Sequence, residues 1–261
     1  MTDAPSNETE IEVSDVAQRF GDRVIFQHVS FRVLAEEIFV ILGGSGCGKS
    51  TLMRQLIGLL PPTGGHIAVR GHTITGPDGD AGRRAVLREI GVMFQSGALF
   101  GSMSLLENVM LPLEMYTDLP AEGREMVARA KLGLVGLGDA AGLMPAEISG
   151  GMAKRAAIAR AMALDPPLLF LDEPSAGLDP ITSAGLDQLI LDLRGDLGAT
   201  FVVVTHELAS ILAIADRCIM LDRAAQGVIA EGNPRRLREE STNPVVRAFF
   251  RRELLQGGSP T

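Results

Sequence analysis

The stretch GGSGCGKST at residues 43–51 has the residue types and spacing to bind phosphate. It fits the pattern G-x-x-x-x-G-K-[ST], follows the apolar run 38–42 and precedes a helical pattern. Glycines let backbone N–H groups curl around an anion, and a helix N-terminus adds its positive dipole end. Lys49 would then reach the β- and γ-phosphates of a nucleotide, and Ser50 would ligate Mg²⁺. The residues of this predicted nucleotide-binding loop are Gly43, Gly44, Ser45, Gly46, Cys47, Gly48, Lys49, Ser50 and Thr51.

A pair of acids at residues 172 and 173 could supply the chemistry that a phosphate loop lacks. Four apolar residues, 168–171, precede Asp172 and Glu173, as expected for a buried strand whose tip carries the carboxylates. Nucleotide hydrolysis needs an acidic group facing the metal and a group that activates water. We therefore predict that Asp172 faces Mg²⁺ and that Glu173 is the general base. The alternative is a pair of turn carboxylates without a catalytic role.

These motifs require a fold that brings the carboxyl ends of several strands together. Continuous apolar runs at 38–42, 168–171 and 201–204 predict parallel strands that are buried on both faces. Helical patterns lie between the runs, and the chain has 261 residues, enough for one large domain. The prediction is an α/β fold with a P-loop NTPase core and a mostly parallel sheet.

The N-terminal part of the chain has the pattern of antiparallel strands. Residues up to about Glu10 are predicted to be frayed. Alternating runs at 11–16 and 24–33 predict one strand pair, and 66–69 with 73–74 predict a second. We therefore expect an N-terminal antiparallel β subdomain beside the nucleotide-binding core.

The middle of the chain is predicted to be a helical insertion at about 96–167. Pro112 and Pro120 are expected to break its helices. Apolar residues recur at helical spacing and predict one buried helix face, formed by Val127, Ala130, Leu134 and Leu137. The β/α alternation returns after this insertion.

Composition narrows the class of protein. The formal net charge is −8, which argues against nucleic acid as the main partner. No apolar run reaches the roughly 18 residues of a membrane span, and the acidic start is unlike a signal peptide. Only two cysteines are present, Cys47 and Cys218, which fits a reducing compartment. The expected location is cytoplasmic.

Several further motifs resemble those of the ATP-binding-cassette (ABC) ATPases, in the family's order. The segment ISGGM at 148–152 is similar to the family's LSGGQ signature. Gln95 is at the Q-loop position, residues 175–179 resemble the D-loop, and His206 resembles the switch histidine. Phe20 is at the place of the adenine-stacking aromatic residue. The resemblance covers the chain from Phe20 to about residue 232.

The resemblance implies a site shared between two copies of the chain. Ser149, Gly150 and Gly151 would contact the γ-phosphate of the nucleotide bound to the opposite copy, and Asp179 would act across the dimer interface. Gln95 would contact Mg²⁺ and the attacking water. The implied substrate and metal are ATP and Mg²⁺, and the implied reaction is ATP hydrolysis coupled to transport.

Two of these implied roles have structural alternatives. His206 would hold the γ-phosphate and Glu173, whereas the alternative is a polar residue that caps a strand end. Phe20 would stack on adenine, whereas the alternative is a phenylalanine in the hydrophobic core.

Departures from the general family pattern indicate a subfamily. Met152 replaces the usual signature glutamine, and the segments FQSGALF (94–100), SGGMAKRAAIARA (149–161) and DPIT (179–182) resemble the ATPases of Mla and Mce-type lipid transporters. This resemblance implies an integral membrane permease, lipid-binding MCE-type subunits and small accessory cytoplasmic subunits as partners. The chain would then sit peripherally on the cytoplasmic face of the inner membrane. The alternatives are a soluble ABC scaffold without a permease and an importer ATPase for another small solute.

The predicted domain boundaries follow from these assignments. Residues 1–240 form the ABC ATPase domain, with the helical subdomain at about 96–167 inserted, and 241–261 form a C-terminal helical extension. Asn243 is expected to cap the C-terminal helix, which could brace the subunit, contact the second copy or receive an accessory protein. The apolar residues after Gln95 could contact the permease or pack in the core.

Overall fold

The computed structural model describes residues 8–76 and 79–252, and its ten strands form two sheets. The strands are β1 Thr9–Phe20, β2 Arg23–Leu34, β3 Ile38–Gly43, β4 Gly64–Val69, β5 His72–Thr73, β6 Ile90–Met93, β7 Leu168–Asp172, β8 Thr200–Val204, β9 Arg217–Asp222 and β10 Gly227–Gly232. The helices are α1 Lys49–Leu56, α2 Gly79–Val86, α3 Leu105–Tyr116, α4 Ala121–Leu134, α5 Gly150–Ala161, α6 Pro180–Leu197, α7 Leu208–Ile214, α8 Pro234–Glu240 and α9 Pro244–Arg251.

The smaller sheet is antiparallel and has the strand order β2-β1-β4-β5, which confirms the predicted N-terminal subdomain. The prediction of a frayed start was wrong for Thr9 and Glu10, because both belong to β1. Glu10 is buried and forms an ion pair with Arg70, whose Nη1 lies 2.5 Å from Glu10 Oε1. This ion pair fixes the start of β1 to the chain beyond β4. Residues 1–7 lie outside the described part of the chain.

The larger sheet has the order β10-β9-β3-β8-β7-β6 and is parallel except for the β9–β10 pair. Every residue of β3, β7 and β8 is buried, as expected for parallel strands covered on both faces. Because β3, β6, β7 and β8 run in one direction, their carboxyl ends meet at one edge of the sheet. The predicted α/β fold with a mostly parallel sheet is confirmed.

Two hydrophobic cores cover the two faces of this sheet. One lies between the sheets and includes Phe39 from β3, Phe26 from β2 and Leu52 from α1. The other lies under the helices and includes Leu171 from β7 and Ile158 from α5. The parallel sheet is therefore the layer to which both the N-terminal sheet and the helical insertion attach.

The helical insertion contains α3, α4 and α5, with short 3₁₀ helices at Gly138–Ala140 and Pro145–Glu147. Pro120 separates α3 from α4 as predicted. The prediction of a break at Pro112 was wrong, because α3 continues through it. A capping box between Ser104 and Glu107 fixes the start of α3, and buried residues on both sides of the proline anchor the helix to the core. Tertiary packing here outweighs the lost backbone hydrogen bond.

The predicted buried face of α4 was partly wrong, although Val127 packs against the core and Leu137, just beyond the helix, is buried as predicted. Ala130 and Leu134 are exposed, whereas the buried residues of the helix are Ala128, Lys131 and Leu132. The Lys131 ammonium pairs with Asp165. A lysine whose charge is paired can bury its long alkyl stem. Lys131 therefore lies on the buried face of α4 although it is charged.

The C-terminal helix α9 packs onto the helical side of the parallel sheet. Asn243 Oδ1 accepts a hydrogen bond from the backbone N–H of Val245 at 2.9 Å and caps the helix as predicted. Val246 and Phe250 are buried in the core beneath it. The predicted extension, 241–261, continues beyond residue 252, and 253–261 lie outside the described residues.

We expect the Phe250→Ala substitution to lower the free energy of unfolding by about 3–5 kcal/mol, because it leaves a cavity in a packed core. The Tm should fall by roughly 2–4 °C for each kcal/mol, as measured by calorimetry of the purified chain. Phe100→Ala is the matched control, since Phe100 is 51% exposed. Equal Tm values for the Phe250→Ala variant and the wild type would contradict the packing of α9.

Candidate functional site

Four strands deliver the predicted site residues to one edge of the parallel sheet. β3 ends at Gly43 and β7 ends at Asp172. Gln95 and His206 each lie two residues beyond the end of their strands, β6 and β8. In open α/β sheets, ligands bind outside the carboxyl ends of the strands. The structure thus gathers residues that are far apart in sequence at the edge where a ligand is expected.

The phosphate loop is shaped by glycine geometry. Gly46 and Gly48 have φ angles of +72° and +104°, in the left-handed region that favours glycine. A methyl group on Gly48 would also lie 2.7 Å from Phe26 Cδ1. Lys49 Nζ donates hydrogen bonds to the carbonyl oxygens of Gly43 at 2.9 Å and Gly44 at 3.1 Å. The lysine therefore folds back along the loop that it follows.

Loop side chains differ in what they can offer a ligand. Ser45 and Ser50 are exposed, so their hydroxyls are accessible. Cys47 is only 2% exposed and packs in the core between the two sheets, and burial raises the pKa of its thiol. Its backbone, and not its sulfur, is the part that can face a phosphate. Cys47 and Cys218 both lie in the described part of the chain, and both are free thiols.

Asp172 and Glu173 place two buried carboxylates side by side. Asp172 Oδ1 and Glu173 Oε2 are each buried without a hydrogen-bond partner among the described residues. Burial raises the pKa of Asp172, the charge of Glu173 raises it further, and Arg54, Lys49 and Lys154 oppose this shift. Unpartnered carboxylate oxygens at a strand end fit a hard divalent cation such as Mg²⁺, which prefers oxygen ligands.

His206 contacts the second of these acids. Its Nδ1 lies 2.8 Å from Glu173 Oε1, and its side chain is exposed. A carboxylate can only accept a hydrogen bond, so the shared proton belongs to Nδ1. One oxygen of Glu173 is therefore held by the histidine and the other is left without a partner.

The signature segment begins a helix. Ser149 is the N-cap of α5, and its hydroxyl accepts from the backbone N–H of Met152 at 3.3 Å. Gly151 packs so closely on α6 that an added Cβ would lie 2.5 Å from Thr182 Cγ2. Within the described residues, no hydrogen bond joins Ser149, Gly150 or Gly151 to the phosphate loop. In a single chain the signature and the phosphate loop are thus separate surfaces.

Asp179 has a local role that the sequence analysis did not assign. It is the N-cap of α6, where its carboxylate accepts from the backbone N–H groups of Ile181 and Thr182. The Thr182 hydroxyl donates to it at 2.5 Å, and this bond holds the pKa of Asp179 below its usual range. The Asp-Pro sequence was the available signal, since aspartate is a favoured N-cap and proline a favoured first helical residue.

Phe20 lies on the surface at the end of β1, beside the turn at Gly21. It is 52% exposed. This exposure rules out the core alternative and leaves the aromatic face free to meet a planar ligand.

Two basic residues on α5, to which the sequence pattern assigned no role, hold the loop after β6. Lys154 is buried, and its Nζ donates to the carbonyl oxygens of Gln95 and Glu173. Arg160 donates to the carbonyl oxygens of Gly97 and Ala98 at 2.8 and 2.7 Å. The available signal was a lysine on the same helical face as Ala157 and Ile158, which are buried. A charge on an apolar face needs partners.

Comparison with known proteins agrees with this geometry. The family model described as ABC transporter matches residues 26–176. The chain belongs to the ABC transporter family. Its relatives include the intermembrane phospholipid transport system ATP-binding protein MlaF of Escherichia coli K12, with 42% identity over 92% of this chain and 88% of MlaF. The probable ribonucleotide transport ATP-binding protein mkl of Mycobacterium tuberculosis H37Rv is 41% identical over 92% of this chain and 66% of mkl.

Solved structures also resemble this ABC ATPase. The dimeric cassette MJ0796, in a post-hydrolysis state bound to ADP and Pi, has a TM-score of 0.76 and 30% identity, covering 85% of this chain and 98% of that one. The protein cbiO1 of Clostridium perfringens, part of the ABC transporter complex cbiONQ, has a TM-score of 0.81 and 27% identity over 89% and 92% of the two chains. This ABC ATPase binds nucleotide, and none of its described helices is long and apolar enough to cross a membrane.

We expect Asp172→Asn to stabilise the ligand-free ABC ATPase and to abolish the Tm increase produced by Mg-ATP. A raised carboxyl pKa means that the ionised group destabilises the folded chain. The free energy of unfolding therefore rises as the pH falls through the raised pKa towards the ordinary 3.8. Removing the charge should add about 1–3 kcal/mol at neutral pH. Thermal unfolding with and without Mg-ATP measures both effects.

The matched control for that experiment is Asp187→Asn. Asp187 is a second buried carboxyl with a pKa raised by burial, and it lies on α6. This variant should keep the Tm response to Mg-ATP. A lower Tm for ligand-free Asp172→Asn than for the wild type would contradict the electrostatic interpretation of the acid pair.

Proposed function

We propose that this ABC ATPase drives phospholipid transport between the membranes of a bacterial envelope, as a homodimer beneath an integral membrane permease. The observation that carries the proposal is the 42% identity to MlaF along 92% of the chain. The chain would then be peripheral on the cytoplasmic face of the inner membrane. MCE-type lipid-binding subunits and small accessory subunits would complete the transporter.

Nucleotide binding would use groups from four parts of the fold. The backbone N–H groups of 43–51 and the start of α1 would surround the phosphates, and Lys49 would exchange its loop carbonyls for phosphate oxygens. Phe20 would stack on adenine. Mg²⁺ would be held by the Ser50 hydroxyl, the Asp172 carboxylate and the Gln95 side chain, and it would neutralise charge on the phosphate oxygens.

Hydrolysis would depend on the two differently placed oxygens of Glu173. His206 Nδ1, at 2.8 Å, holds Oε1, so the carboxylate cannot rotate freely. Oε2, buried and unpartnered, is the oxygen that would accept the proton of the attacking water. The exposed Nε2 of His206 would contact the γ-phosphate. A hydrogen bond that holds the base in one orientation favours proton transfer, because the geometry is set in advance.

A second copy of the chain would complete each site. Ser149, Gly150 and Gly151 begin α5, whose N-terminal N–H groups and positive dipole end suit an anion. In a single chain they are not joined to the phosphate loop, which supports their use on the partner's nucleotide. Asp179 would lie at the same dimer interface. The exposed start of α6 fits that role, since Ile181 is 86% exposed.

The permease would dock where the helical insertion meets the parallel sheet. A surface groove there is lined by Leu87, Pro112 and Tyr116. Phe100, near the start of the same insertion, and Met115, near the end of α3, are exposed. Adaptable apolar side chains of this kind suit a helix from another protein. Closure and reopening of the dimer would then move the permease, because the two states bind nucleotide differently.

We expect Glu173→Gln to lower the rate of ATP hydrolysis by about 10²- to 10⁴-fold, because the amide cannot accept the water proton. ATP binding should persist, and ATP should trap a dimer visible by size-exclusion chromatography. Glu125→Gln, at a partly exposed carboxylate on α4, is the matched control and should hydrolyse ATP normally. Wild-type hydrolysis by the Glu173→Gln protein would show that another group is the base.

The identity of the transported molecule can be tested by purifying the tagged chain from detergent-solubilised membranes. We expect a permease to co-purify, and organic extraction of the complex should yield phospholipid. The complex in proteoliposomes should move labelled phospholipid only with hydrolysable ATP. Recovery of the chain without any membrane protein would favour a soluble scaffold and contradict the transporter.

Ribonucleotide is a second candidate cargo, because the mkl relatives carry that description at 41% identity. The same preparation distinguishes the two cargoes. Labelled ribonucleotide accumulating in the proteoliposomes, without phospholipid movement, would favour this candidate.

A further inference from the structure

Lys154 joins two loops of the candidate site to the signature helix. It lies one turn after Gly150 and Gly151 on α5. Its Nζ donates to the carbonyl oxygen of Gln95 and, at 3.2 Å, to the carbonyl oxygen of Glu173. A single ammonium group therefore contacts the backbone at both residues.

These two carbonyls lie just beyond the end of a strand pair. The parallel pairing of β6 with β7 includes Met93 opposite Leu171, and Gln95 and Glu173 each follow two residues later. Past Met93 and Leu171 the pairing between these two strands ends, while β7 stays joined to β8, and Glu173 adopts a φ of +47°. Lys154 supplies the donor that holds the two diverging loops together where the strand ladder does not.

Burying the Lys154 ammonium costs desolvation free energy, which its hydrogen bonds and nearby charges must offset. Lys154 is 8% exposed, and burial lowers the pKa of its ammonium, while the charges of Glu173 and Asp172 oppose that shift. An apolar residue would fill the position without the desolvation cost. We therefore attribute the lysine at this position to its contacts with the backbone carbonyls and the nearby acids of the site.

The same helix carries the groups proposed to serve the opposite nucleotide. Ser149 and Gly151 are at its N-terminus, and an α-helix rises 1.5 Å per residue, so Lys154 lies within about 8 Å of them along the axis. Gly151 packs directly on Thr182 at the start of α6. If contact with a partner's γ-phosphate displaces α5, the carbonyl groups of Gln95 and Glu173 would move with it, because Lys154 is hydrogen-bonded to both.

We propose that Lys154 is a positioning residue that couples the two ATP sites of the dimer. When Ser149–Gly151 engage the partner's nucleotide, Lys154 sets the backbone of Gln95 and Glu173 in its own subunit's site. Each site then reaches its hydrolytic geometry only when the other is occupied, and ATP hydrolysis is cooperative. This inference rests on the proposed function, since it requires a dimer in which Glu173 is the base.

The test compares Lys154→Met with Arg155→Met in the full-length chain, assembled with its permease. Arg155 is the next residue of α5, and it also donates to two backbone carbonyls, those of Val135 and Gly185. Those carbonyls lie outside the candidate site. Initial rates of hydrolysis are measured against Mg-ATP concentration, and Tm values are measured with and without Mg-ATP.

We expect Lys154→Met to lower kcat by about 10- to 100-fold and to reduce the Hill coefficient from its wild-type value, at most 2 for two sites, to about 1. The KM for ATP should stay within about twofold, because no group that touches the nucleotide is lost. Arg155→Met should lower the Tm but keep the Hill coefficient. Lys154→Arg should restore cooperativity, since it keeps the cation and its donors.

A wild-type Hill coefficient in Lys154→Met, or a wild-type enzyme with a Hill coefficient of about 1, would overturn the inference. Equal loss of cooperativity in Arg155→Met would also overturn it, since that result indicates general loosening of α5. If Lys154→Met does not fold, Lys154→Gln serves instead, because its shorter side chain cannot bridge both carbonyls. Failure of the proposed function gives different results: no membrane protein would co-purify with the chain, or Glu173→Gln would retain hydrolysis, whatever Lys154 does.

Discussion

Two carboxylates at the end of one buried strand repel each other, and much of the site is arranged to offset that repulsion. Asp172 and Glu173 follow a run in which every residue is buried, so water screens neither charge well. Lys154, Lys49 and Arg54 approach Asp172 from α5 and α1, and His206 approaches Glu173 from the end of β8. The parallel sheet thus positions the two acids, and basic residues of the surrounding helices offset part of their negative charge. A divalent cation beside Asp172 would offset the negative charge that remains.

The fold was largely predictable because its signals are local. Buried parallel strands appear as continuous apolar runs, and the antiparallel sheet appears as alternation. The strand-to-helix turn at 43–51 requires glycine geometry that few other sequences satisfy. The placement of Gln95, Asp172 and His206 at one edge follows from the common direction of β6, β7 and β8. No side-chain contact had to be known in advance for that placement.

The failures came where long-range contacts override local patterns. The helix α3 runs through Pro112 because a capping box and buried residues hold both of its halves. The inner face of α4 carries Lys131, whose partner Asp165 lies 34 residues away. The roles of Lys154 and Arg160 were not predicted for the same reason. Their partners are backbone carbonyl groups, which every residue type carries, so the sequence does not identify them. Asp179 caps its own helix through Ile181 and Thr182, a local role that is additional to the one proposed for it at the dimer interface.

Ser149 and Asp179 both cap a helix, yet their hydrogen-bonding capacities differ. A hydroxyl has one proton and two lone pairs, so Ser149 can accept from Met152 and still donate outward. The O–H donor of Ser149 therefore remains available for an anion. The Asp179 carboxylate has no proton to give, and three donors from Ile181 and Thr182 already occupy it. The proposed dimer interface would therefore be polarised: Ser149 could donate a hydrogen bond to a phosphate, whereas Asp179 could only accept from a donor group or pair with a cation.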